Sequence, residues 1–214
     1  MNNVNRDVKI REDDGSDEGE RRARNPRGEG ERLRATLLEA ATGLIAESEN
    51  PENVSVRAVT RRAGVSPTAL YLHFENREEL FRAVSEECFA ELGEAMRTAG
   101  AEAEAGAVPR DQLIAIGHAY LRFARERPGH YAVLFQRHIT PVPEDDEPKI
   151  GMEVFDNLVD VVRRCGVPDD DAFDSAVLLW MALHGRAAVA SAMPGFPFPE
   201  EDRYVELLAE RVLG

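Results

Sequence analysis

Residues 55–81 read SVRAVTRRAGVSPTALYLHFENREELF, and this stretch decides the fold. Ser55 is placed to cap a short helix carrying Val56, Val59 and Ala63, and Gly64 falls where such a helix ends in the left-handed conformation. Ser66-Pro67 repeats the start signal: a capping hydroxyl, then proline at the first helical position, where a missing N–H breaks no bond. At about 100° per residue the second helix turns Leu70 and Phe74 inward and leaves Thr68, Ala69 and Leu72 outward, with Tyr71 on the flank. Two short helices joined by a tight turn at Gly64-Val65 form a helix-turn-helix, the arrangement that sets one helix into a DNA major groove.

A Thr-Ala-Leu face beside a tyrosine suits water poorly and base edges well. Threonine hydrogen-bonds a base or a phosphate, while alanine and leucine meet a thymine methyl. Arg77 stands in the first turn of the next helix, where the macrodipole disfavours a cation. A phosphate there would be held by the guanidinium and the helix N-terminal amides together. The plain alternatives are a helix pair used as scaffold and a solvated arginine.

Upstream, Leu33, Leu37, Ala40, Ala41, Leu44 and Ile45 recur at three- and four-residue spacings, one apolar stripe of a helix that stops near Ser48 to Pro51. Met1 to Arg27 has almost no apolar residue and closes on Asn25-Pro26-Arg27-Gly28, so residues 1–28 are expected to be a disordered extension. Downstream, Asn76 with Glu79 predicts a capping box opening a long helix through Leu80, Val84, Cys88, Phe89 and Leu92 to about Arg97. An Ala/Gly/Glu-rich linker is expected at Thr98 to Val108. Helices then follow near 110–126, 128–138, 148–165, 170–193 and 199–213, with breaks at Pro141-Val142-Pro143 and Pro194 to Pro199. No segment of useful length alternates with period two, so the expected fold is all α, with about nine helices.

The chain has 214 residues, 43% of them apolar, enough for a packed core. Its net charge of −14 is unevenly spread. Met1 to Glu20 holds 3 basic and 7 acidic residues, Arg21 to Arg82 holds 11 and 9, and Ala83 to Gly214 holds 12 and 24. The middle segment alone attracts a polyanion, and Arg21, Arg22, Arg24 and Arg27 crowd at its start. No apolar run approaches the roughly 18 residues of a spanning helix, and the first thirty residues carry charges instead of a signal sequence. A cytoplasmic chain without a membrane partner is expected. Cys88 and Cys165 read as small buried hydrophobes.

Leu33 to Phe81 resembles the DNA-binding domain of the TetR family of transcriptional regulators, whose pattern is A-G-V-S-x-x-x-L-Y-x-H-F-x-x-K-x-x-L. Here it reads Ala63-Gly64-Val65-Ser66, Leu70-Tyr71, His73-Phe74, Arg77 and Leu80. The resemblance implies an all-α homodimer: a three-helix DNA-binding head at 29–75, a connecting helix at 76–97, and a ligand-binding and dimerisation domain at 98–214. It makes Ser66, Thr68, Tyr71 and His73 DNA contacts, with Arg77 on phosphate. With the outward residues, the expected DNA-binding set is Ser66, Pro67, Thr68, Ala69, Tyr71, Leu72, His73 and Arg77.

Leu179 to Gly185, LWMALHG, is similar to the W-x-x-x-H-G signature of a subset of these regulators, seen together with a segment like Ala119 to Ala124 and a Pro-x-x-Tyr, here Pro128 and Tyr131. That names a domain type without naming a ligand. The helix at 170–193 is apolar on two faces and must be covered twice. Small residues on it and apolar ones on the last helix put Leu178, Ala182, Gly185, Val189, Tyr204, Leu208 and Val212 in the expected dimer interface. A mainly apolar effector cavity is expected from the aromatic and sulfur residues Phe89, Tyr120, Phe123, Tyr131, Phe135, Met152, Phe155 and Trp180, with His118, Arg122 or His184 as polar anchors. For His184 a hydrogen-bonded core position is the plain alternative.

An enzyme is not expected. The histidines show no H-x-x-x-H spacing, and there is no G-x-S-x-G elbow, Walker loop or dinucleotide fingerprint. The acidic run at 144–147 lacks the spacing of a calcium loop. No metal, cofactor or catalytic residue is therefore assigned. The expected function is a ligand-responsive repressor bound to a near-palindromic DNA operator. The alternative is a helical protein-interaction module that binds no DNA.

Overall fold

The computed structural model describes residues 29–48, 50–104, 108–135 and 151–214. The expected extension at 1–28, the breaks and acidic run at 141–147, the end of the 128–138 helix and the start of the 148–165 helix lie outside these. The described residues form nine α-helices and a short 3-10 turn, without strands. They are α1 (Glu29–Ala46), α2 (Val56–Ala63), α3 (Pro67–Leu70), α4 (Arg77–Glu104), α5 (Pro109–Glu126), α6 (Pro128–Phe135), α7 (Met152–Arg164), α8 (Asp169–Ala192) and α9 (Glu201–Leu213), with the 3-10 turn at Pro51–Asn53.

The head is built by local chemistry that the sequence announces. The Ser55 hydroxyl accepts from the Ala58 N–H at 3.2 Å, and Ser66 accepts from Ala69 at 3.3 Å. Gly64 closes α2 at φ 71°, a conformation in which any Cβ would meet its own carbonyl. Asn76 accepts from Glu79 N–H at 2.8 Å, while the Glu79 carboxylate takes the Glu75 N–H, so the capping box closes one residue earlier than its usual form. Leu37, Ala41, Ile45, Val59, Leu70, Phe74, Leu80, Phe81 and Val84 fill the space between α1, α2, α3 and α4.

Two elements depart from expectation. The helix α3 is a single turn, continued by tighter turns in which Leu72 N–H reaches Ala69 O and His73 N–H reaches Leu70 O. The connecting helix α4 runs on through the stretch read as linker, to Glu104, because alanine and glutamate sustain a helix and Gly100 is buried where Gln112 and Ile116 of α5 come close.

In the body, α5 is the central post, packed by α4, α6, α7, α8 and α9. Leu113, Ile116, Ala119, Tyr120 and Phe123 are its buried face. The helix α6 ties body to head by resting on the C-terminal end of α1. Gly129 makes that approach possible, since a Cβ there would run into the Ile45 carbonyl. The helix α8 corrects one expectation: by length and composition, with mean hydropathy 1.2, it is apolar enough to cross a membrane. Three aspartates open it, and its apolar residues divide between a core face, Ala172, Ala176, Leu179 and Leu183, and an exposed stripe.

Gly129→Ala should lower stability by about 1–3 kcal/mol, because backbone and not a movable side chain blocks the new methyl. Gly195→Ala, in a turn with open space around it, should change stability little. Urea denaturation of both variants checks the contrast.

Candidate nucleic-acid interface and internal cavity

The turn after α2 delivers an exposed patch. Thr68 is exposed, Tyr71 is 53% and Leu72 78% accessible, and Ala69 is half-buried between them. Beneath them Leu70 and Phe74 are anchored in the core, so the patch is held on a rigid base. Ser66 and Pro67 are exposed at its leading end, and the Ser66 hydroxyl is engaged as the cap. His73 is half-buried, with its ring beside Gly30 of α1. Exposed arginines on the same head, Arg57 and Arg61 of α2 and Arg32 and Arg34 of α1, supply positive charge that the sequence reading did not single out. A two-helix unit with an apolar, hydroxyl-bearing rim and flanking arginines matches the mixed base and phosphate surface of duplex DNA.

Arg77 has a different position from the one expected of it. Its guanidinium donates to the Glu52 carboxylate at 3.3 Å and to the carbonyls of Glu52 and Val54 at 3.2 and 3.4 Å, and it lies 4.2 Å over the Phe81 ring. It pins the start of α4 to the loop before α2 as an internal clamp, a role the expectation of a phosphate contact did not include. The sequence could not show this, because the partner lies 25 residues upstream.

The body holds a half-open cavity of about 300 Å³ between α4, α5, α6, α7 and α8. Of the expected lining, Phe89, Tyr120, Phe135, Met152, Phe155 and Trp180 meet there. Leu92, Met96, Gly151, Val154, Leu158, Phe173 and Val177 complete the wall. Their signal was the helical spacing Phe89-Leu92-Met96 and Phe173-Val177-Trp180, which a search by aromatic composition passes over. The rings interlock, with Phe155 edge-on to both Phe173 and Trp180 at 5.4 and 6.4 Å.

Five expected cavity residues lie elsewhere. His118 faces α9, with Glu201 and Asp202 at 3.9 and 3.8 Å; Arg122 is exposed; Phe123 is buried beside Arg127 and His130. Tyr131 and His184 stand behind the wall in a polar cluster. Nδ1 of His184 is 2.9 Å from the Tyr131 hydroxyl and 3.2 Å from that of Tyr120. Burial holds the His184 imidazole below its ordinary pKa, and therefore neutral, while burial and the neighbouring Tyr131 push the Tyr120 phenol up.

On the far side of α8, Leu178 and Met181 are 63% and 58% accessible and Val189 is exposed. Ala182 and Gly185 are half-buried between them, and the Tyr204 hydroxyl donates to Ala182 O at 2.8 Å, locking α9 to α8. Leu208 and Val212 are half-buried against the core. Of the expected interface residues, Leu178 and Val189 of α8 are thus open to solvent, while Tyr204, Leu208 and Val212 of α9 pack against the body.

With this geometry in hand, the comparisons agree with one another. A family model described as bacterial regulatory proteins of the tetR family matches residues 37–84, and one described as the tetracyclin repressor-like C-terminal domain matches 113–212, together over two thirds of the chain. An uncharacterized helix-turn-helix-type transcriptional regulator of Haemophilus influenzae is 34% identical over 76 residues, 36% of this chain and 37% of that one. The chain therefore spans little more than a third of that relative's length. A second, from Mycobacterium tuberculosis, is 24% identical over 71% of this chain and 67% of its own. The solved structure of a protein with unknown function from Rhodococcus sp. RHA1 superposes with a TM-score of 0.70 at 26% identity, covering 85% of this chain and 93% of that one.

Thr68→Ala and Tyr71→Ala should each weaken sequence-specific DNA binding by about 1–3 kcal/mol with unaltered folding. Arg77→Ala should instead lower stability by about 1–3 kcal/mol. Its salt dependence of DNA binding should stay unchanged, where loss of a phosphate contact would reduce the slope by about one unit. Salt-series gel shifts and urea melts of the same variants separate the two roles.

Proposed function

Because this chain belongs to the TetR family of transcriptional regulators and carries that family's DNA-binding head, we propose that it is a homodimeric repressor, released from a near-palindromic operator by a small apolar effector. The observation that carries this reading is that one helix serves both ends. The α4 helix follows the Thr68–Leu72 patch in the chain and packs on α1 of the same head, and further along it presents Phe89, Leu92 and Met96 to the cavity. A ligand that prefers one position of α4 therefore favours one position of the head, and a ligand indifferent to that position changes nothing.

The exposed α8 stripe supports the dimer, since an apolar face of this kind is covered in a stable protein. A two-fold axis there would present two recognition elements to half-sites roughly 34 Å or more apart. The acidic body keeps the remainder of the surface off DNA, so that binding is confined to the docked heads. On this reading the protein works in the cytoplasm, with DNA, an effector and a second copy as its partners.

Sedimentation at micromolar concentration should give twice the 23.8 kDa of one chain. Fragments of genomic DNA selected by the protein should share an inverted repeat. A monomer that selects only single half-sites would overturn the dimeric reading, and no selection at all would favour a protein-interaction module.

A further inference from the structure

The cavity wall has a definite chemistry. Among the described residues none of its lining side chains is charged, and its only side chains with N–H or O–H groups are Tyr120 and Trp180. An indole N–H is a donor and nothing else, and the phenol of Tyr120 has a proton to place. Behind the wall two hydroxyls compete for one atom. A neutral imidazole that carries its hydrogen on Nε2 offers a single lone pair at Nδ1, yet Tyr131 lies 2.9 Å and Tyr120 3.2 Å from it. Tyr131 has an alternative acceptor in the His184 carbonyl, at 3.3 Å. When Tyr131 donates to Nδ1, Tyr120 can turn its proton to the Tyr131 oxygen, and with Trp180 as a further hydrogen-bond partner it is the member of the cluster that lines the cavity.

Building on the reading of this cavity as the effector site, we propose that the effector is a neutral, compact, mainly apolar molecule bearing one hydrogen-bond-accepting oxygen or nitrogen, which takes the Tyr120 hydroxyl proton in place of His184 Nδ1. Among the described residues no side chain of the wall would pair an ion, so a charged group set against that wall carries the cost of an unpaired charge. A volume of about 300 Å³ lies at the small end of ligand pockets and selects a molecule of about one substituted ring. Accepting from Tyr120 leaves Nδ1 to Tyr131, so the ligand takes the place of one internal partner of the Tyr120 hydroxyl and both hydroxyls keep an acceptor.

The test uses three probes of one shape on the full chain: acetophenone, which is neutral with an acceptor; isopropylbenzene, neutral without one; and benzoate, charged. Binding is read by ligand-observed NMR to the wild type and to Tyr120→Phe. In the variant, acetophenone should bind about fivefold more weakly, the loss of about one hydrogen bond. Isopropylbenzene should stay within about twofold, which also reports an intact cavity, and benzoate should bind neither protein. Unchanged acetophenone affinity in Tyr120→Phe, equal loss for both neutral probes, or benzoate binding as tightly as the ketone overturns the acceptor inference. Failure of both neutral probes to bind the wild type overturns instead the assignment of the cavity as the effector site.

Discussion

A single unbroken helix that belongs to two cores is the constraint on which the rest depends. At 28 residues α4 is about 42 Å long. Its first three turns bury Leu80, Phe81 and Val84 among the residues of the head, and its later turns bury Leu92 and Met96 in the body. No proline interrupts it, so its ladder of backbone hydrogen bonds resists a hinge between the two parts. The Arg77 clamp fixes the start of the helix to the loop before α2, and a hydrogen bond of 3.0 Å from Thr42 to Glu87 ties it again to α1. Head and body therefore behave as one lever, and the recognition turn is carried at its short end.

What the sequence reveals divides by the range of the interactions involved. The caps at Ser55, Ser66 and Asn76 and the left-handed Gly64 are legible because each depends on residues within four positions. The inward pair Leu70 and Phe74 is legible for the same reason, although α3 itself is shorter than a regular projection assumes. Arg77 is misread because its partners arrive from Glu52 and Val54, beyond any local rule. The stretch after Thr98 is misread because composition, which resembles a linker, says nothing of the contact with Gln112 and Ile116 that keeps it helical.

The cavity fails in an instructive way. Residue type alone collects the right aromatic rings and adds Phe123 and Tyr131, which face elsewhere, since an aromatic ring suits a packed core as well as a cavity wall. The stripes on α4 and α8 supply the direction that composition lacks. Polar anchors are harder still. His118 and Arg122 are on the correct helix and the wrong face, one toward α9 and the other toward solvent, while Tyr120, read for its ring, brings the hydroxyl.

The body is joined to the head by a second route, and its two ends differ in stiffness. On the body side of α6, Tyr131 has a choice of acceptors 2.9 and 3.3 Å away, so a small displacement is accommodated by exchanging one hydrogen bond for another. At the head end, two residues earlier, Gly129 sits against the Ile45 carbonyl with no side chain to rotate aside. Close-packed backbone transmits a shift where a flexible side chain would absorb it. The helix α6 is short, with its residues from Gly129 to Leu134 all buried, which leaves it little freedom to dissipate motion within itself. The helix α6 thus joins the polar cluster behind the cavity to the end of α1, and α1 is the helix against which α2 and α4 also pack. Both α4 and α6 therefore join the cavity wall to α1 and, through it, to the helix pair that carries the exposed patch.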